Sequence, residues 1–147
     1  MMAHLRTAAL AAAAAAACSA PPLVPVPPVG VLTRVEVELG HDSTYAAAVT
    51  DPARLAAIAA FVDARRDAWR PDREVLRLGG THAHLWRDTV LVAVVSLEDG
   101  QLRRSQRQAP SLTQPISAED SAAFARLLGA AAAPPGEGAR ASRSPPS

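Results

Sequence analysis

The order of segments in this chain predicts an α+β fold: an antiparallel sheet of four to six strands with two helices packed on one face. Three observations carry the prediction. Two stretches alternate apolar and polar residues with period two, as half-buried strands do. Two others combine a capping residue with apolar positions at helical spacing. Short turn-type connections such as Asp99-Gly100 separate the strand-like stretches, which favours antiparallel pairing over crossovers.

"VLTRVEVEL", residues 31–39, puts Thr33, Val35, Val37 and Leu39 on one face and Arg34, Glu36 and Glu38 on the other. A turn over 40–44 leads to "YAAAV", 45–49, a second short strand. Residues 50–69 read as a helix: Thr50 or Asp51 caps it, and Pro52 stands where a missing N–H is harmless. Its apolar stripe is Leu55, Ile58, Ala59 and Val62, and Trp69 and Pro71 end it. Strand-like segments follow at 74–80, 81–87 and 89–97, then at 98–106 after the Asp99-Gly100 turn. Val90 to Val95 is apolar on both parities and so reads as a central strand. With helices on one face only, Val90, Val92 and Val94 would leave an apolar strip, which the segment from Arg107 to Pro115 is expected to cover. Ser117 to Asp120 resembles a capping box with Asp in the last place. The helix it starts carries Phe124, Leu127 and Leu128 and stops at Gly129.

The length of 147 residues fits one domain, expected to span 31–129. Residues 130–147 have no apolar side chain larger than alanine or proline, and a disordered tail is expected. Every basic residue is arginine, and between 31 and 129 there are 12 Arg against 13 Asp plus Glu. A domain so balanced has no basic field with which to collect nucleic acid, and nucleic acid is excluded as a partner.

The N-terminus reads as an export signal. Met1 to Thr7 carries Arg6 and no acid, Ala8 to Ala17 is uncharged and apolar, and small residues follow, so 1–17 is taken as a signal peptide. Ten residues of helix span ~15 Å, half of a ~30 Å hydrocarbon core, so the run is no permanent span. Ala15-Ala16-Ala17 precedes Cys18, the single cysteine. These four residues resemble the lipobox of bacterial lipoprotein precursors, with Ala15 where that family most often has leucine. The resemblance implies cleavage before Cys18, acylation of its thiol, and anchoring to the bilayer of the cell membrane or outer membrane. The following "APPLVPVPPVG", 20–30, has five prolines and would favour polyproline II; at ~3.1 Å per residue it would reach ~34 Å. Residues 18–30 are thus expected to be a lipid-anchored linker holding the domain off the membrane.

"GGTHAHLW", 79–86, is the sharpest local chemistry. On a strand His82, His84 and Trp86 share a face. Two histidines so spaced suit one metal ion, with His41 and Asp42 as further ligands. The same three side chains equally suit a binding surface or plain packing. No Walker pattern, G-x-G-x-x-G or G-x-S-x-G occurs, so no cofactor and no catalytic residue is assigned. The expectation is a lipid-anchored envelope protein with a non-catalytic binding domain for an envelope protein or polymer. The alternative is a small metal-binding protein or metal-dependent enzyme using His82 and His84.

Overall fold

The computed structural model describes residues 20–40, 45–72, 79–105 and 110–129. Cys18, His41 and Asp42 lie outside the described residues, as do the signal peptide expected at 1–17, the tail expected at 130–147 and residues 74–78 of the strand expected at 74–80.

The fold is α+β, with a wholly antiparallel sheet and two helices. In chain order the elements are β1 (Arg34–Leu39), β2 (Tyr45–Val49), α1 (Pro52–Asp63), β3 (Arg70–Pro71), β4 (Thr81–Arg87), β5 (Val90–Glu98), β6 (Gln101–Ser105), β7 (Leu112–Pro115) and α2 (Ala118–Leu128). The sheet runs β2-β1-β4-β5-β6-β7-β3. Seven strands, rather than four to six, result from two elements that carry no strand signal of their own. Residues 112–115, expected to cover the sheet, instead pair with β6, Leu102 opposite Gln114 and Arg104 opposite Leu112. The two residues of β3 then pair with β7. Register and backbone pairing make both strands, not side-chain alternation.

The local signals explain most other boundaries. Asp51 accepts a hydrogen bond from the Arg54 amide at 2.8 Å and starts α1. Ser117 does the same for Asp120, and Gly129, at φ +73°, ends α2. Asp99 and Gly100 both have positive φ, the backbone of a two-residue hairpin turn matched to strand twist. α1 stops at Asp63, short of the expected 69; residues 65–68 turn, which drops Trp69 into the core fully buried.

One face of the sheet is the core. Val35 and Val37, Ala83 and Leu85, Ala93 and Val95, and Leu102 meet Leu55, Ile58 and Val62 of α1 and Phe124 and Leu128 of α2. The helices are tied to each other as well. Phe61 stacks on Phe124 at 4.7 Å between centroids, Arg65 pairs with Asp120 at 2.9 Å, and Arg54 donates to the Leu127 carbonyl at the end of α2. Two polar side chains enter this face. Gln114 donates to the Arg65 carbonyl, and Arg104, 1 % exposed, donates to the Pro27 carbonyl at 3.1 Å. Burial lowers the Arg104 pKa, a shift opposed by the charge of Asp63.

Residues 20–30, expected as a spacer, are laid against the domain. Val26 and Val29 are part of the core. The amides of Val24 and Val26 donate to the carbonyls of Trp69 and Arg66, and that of Val29 to the Asp63 carboxylate at 2.8 Å. Three arginines from three strands donate to its carbonyls: Arg70 to Pro21, Arg104 to Pro27 and Arg87 to Val29. Proline has no N–H and a polyproline stretch makes no internal hydrogen bonds, so its carbonyls are open to such donors. The valines between the prolines supply the burial. This segment is a strap, and the folded unit extends at least from Pro21 to Gly129.

Candidate functional site

The other face of the sheet is polar. Antiparallel pairing places Arg34 opposite Trp86, Glu36 opposite His84, and Glu38 opposite His82 on β1 and β4. It then places His84 opposite Val94 and His82 opposite Ser96 on β5, and Ser96 opposite Arg103 on β6. The expected apolar strip is therefore reduced. Val94 opposite His84 and Leu91 opposite Trp86 remain as its apolar members, Val90 is 62 % exposed at the strand's start, and Val92, at the register shift, packs against the core.

These side chains hold one another. Glu36 accepts from the Trp86 indole N–H at 2.9 Å and pairs with Arg34 at 3.1 Å, and the Arg34 guanidinium lies 5.0 Å from the Trp86 ring centroid. Glu38 reaches diagonally to His84 Nε2 at 3.1 Å. His82 Nδ1 and Ser96 Oγ share a hydrogen bond of 2.7 Å. His82, His84 and Trp86 thus share a face, as strand periodicity requires, and each engages a different partner.

Further along the same face the strands form a cleft of about 200 Å³, lined by Asp72, His82, Ser96, Glu98, Arg103 and Ser111 among others. Arg103 lies 3.4 Å from Asp72 and 3.7 Å from Glu98, and the three side chains are at least nine-tenths buried. The cleft has room for a small polar group or several waters. Arg103, Asp72, Glu98 and Ser96 do not stand out in the sequence, because only strand register brings them to His82. The alternation of Arg34, Glu36 and Glu38 is visible there, but not that it lines up with the histidines.

The nearest approach to a catalytic geometry on this face is the His82–Ser96 pair. A 2.7 Å Ser–His bond has the distance of a nucleophile and its base, but a working triad also needs a group to orient the imidazole through its other nitrogen. Among the described residues no hydrogen bond reaches His82 Nε2, and no group of three His, Cys, Asp or Glu side chains converges as metal ligands. What the face does present is planar polar groups and an aromatic ring, half-buried and fixed in orientation, beside a small polar cleft.

No family model, curated protein or solved structure matches the chain.

Proposed function

We propose that this chain is a lipid-anchored, non-catalytic binding domain of the cell envelope, acylated at Cys18 and engaging an envelope protein or polymer through the polar face of its sheet. The observation that carries the binding reading is the pre-ordered row of Arg34, Trp86, Glu36, His84, Glu38 and His82 on the face that the helices leave uncovered. Side chains already held by one another lose little rotamer freedom on meeting a partner, which favours affinity. An aromatic ring and an arginine, here paired at one end of the row, are residue types enriched among the anchors of interfaces.

The strap shapes how the anchor would act. Cys18 is three positions before Pro21, whose carbonyl Arg70 holds. Three extended residues reach at most about 10 Å, so the domain would rest on the bilayer surface instead of standing ~34 Å away. Two or more acyl chains, at ~0.8 kcal/mol per buried methylene, would hold it there stably.

The anchor has a direct test. Intact-mass measurement of the mature protein should show cleavage before Cys18 and added acyl mass, and Cys18→Ser should leave the membrane fraction. An unmodified N-terminal Cys18 would remove the anchor from this reading.

A further inference from the structure

The two edges of the sheet differ. The β3 edge is two residues long, contains Pro71, and commits Arg70 to the Pro21 carbonyl. The β2 edge is five residues long with neither charge nor proline, and Ala46, Ala47 and Ala48 are exposed. Among the described residues no strand pairs with its outer side. An edge strand presents a row of backbone N–H and C=O groups to any strand that can reach them, and proteins commonly blunt such edges with charge, proline or brevity. β3 has all three devices. β2 has one weaker device, a bulge that leaves Ala46 unpaired between Tyr45 opposite Glu38 and Ala47 opposite Val37, and is regular from Ala47 to Val49.

Where β2 ends, an apolar groove of about 510 Å³ opens between α1 and the residues leading into β1, lined by Leu32, Thr50, Pro52, Leu55 and Ala59 among others. Val31, which also lines it, is 81 % exposed. Edge and groove are continuous through Val49 and Thr50.

We propose that two copies of this chain associate through β2, pairing antiparallel about a twofold axis at Ala48 so that the two sheets become one. The occupant follows from the sequence of the edge. In that register Ala48 faces itself and Ala47 faces Val49, within the regular part of the strand, so no charge meets a like charge and no large side chain blocks the approach of the backbones. The second copy's strand then runs on toward Thr50 and the groove. An uncharged strand of small residues offers little to distinguish a foreign partner and fits its own copy. The contact area of a short strand pair is small, so the dimer is weak, with Kd on the order of micromolar. This proposal does not rest on the anchor or on the polar face.

Sedimentation equilibrium of the full chain carrying Cys18→Ser, which has no thiol to acylate, tests it. A reversible monomer–dimer equilibrium is expected. Ala48→Lys puts two lysines face to face in the dimer but beside Glu36 in the monomer, so it should raise Kd about tenfold or more with the fold intact. Mixing Ala48→Lys with Ala48→Glu should restore association. A monomer at every concentration up to about millimolar, or a dimer indifferent to Ala48→Lys, overturns the proposal.

Discussion

Alternate residues of the same strands face two different environments, and the contrast between the two sides of the sheet organises the molecule. On β4, Ala83 and Leu85 are fully buried under the helices, while His82, His84 and Trp86 point the other way and are half-buried among polar neighbours. The covered side is held by apolar burial at roughly 25 cal/mol per Å². The uncovered side is held by pairs of polar groups whose net stabilisation is near 1 kcal/mol each or less. Substitutions should therefore act on stability from one side and on binding from the other.

The sharpest break in that rule is Arg104, a charge on the apolar side. Arg104→Ala should destabilise the domain by about 2–4 kcal/mol in urea unfolding, since it removes the donor to the Pro27 carbonyl and leaves a cavity where a fully buried side chain stood. Arg104→Met should recover part of that loss by refilling the volume. A smaller effect is expected at the strap. Val29→Ala should cost about 2 kcal/mol through lost burial and a residual cavity, whereas a free spacer would tolerate it without change. Smallest of all, His82→Ala and His84→Ala should each shift stability by no more than about 1 kcal/mol, because the polar contacts they give up are partly exposed. Zinc added to the native protein should leave its melting temperature where it was, since the two imidazoles are separately engaged.

Particular residues show what is legible in the sequence. Asp51, Pro52, Ser117, Gly129 and the Asp99-Gly100 turn act locally, through one backbone bond or one φ angle, so residue type and position suffice to assign their roles. The alternation in 34–39 and 81–87 likewise sorts inward from outward residues. What escapes such reading is non-local. β7 is a strand because β6 offers it an edge, and the strap is bound because Arg70, Arg87 and Arg104, far apart in sequence, converge on its carbonyls. A proline-rich stretch looks the same in sequence whether it is solvated or clasped. The cleft is hidden for the same reason: Ser96 and Arg103 reach His82 only through the register of β4, β5 and β6.

The claim that the uncovered polar face is the binding surface can be put to one measurement. A photo-crosslinking residue placed at Trp86 in living cells, with a second at exposed Ala53 on α1 as the control, reports which side meets the envelope. A discrete adduct from position 86, absent from position 53 and lost in Arg34→Ala, is the predicted result. Adducts from position 53 with none from position 86 would contradict it.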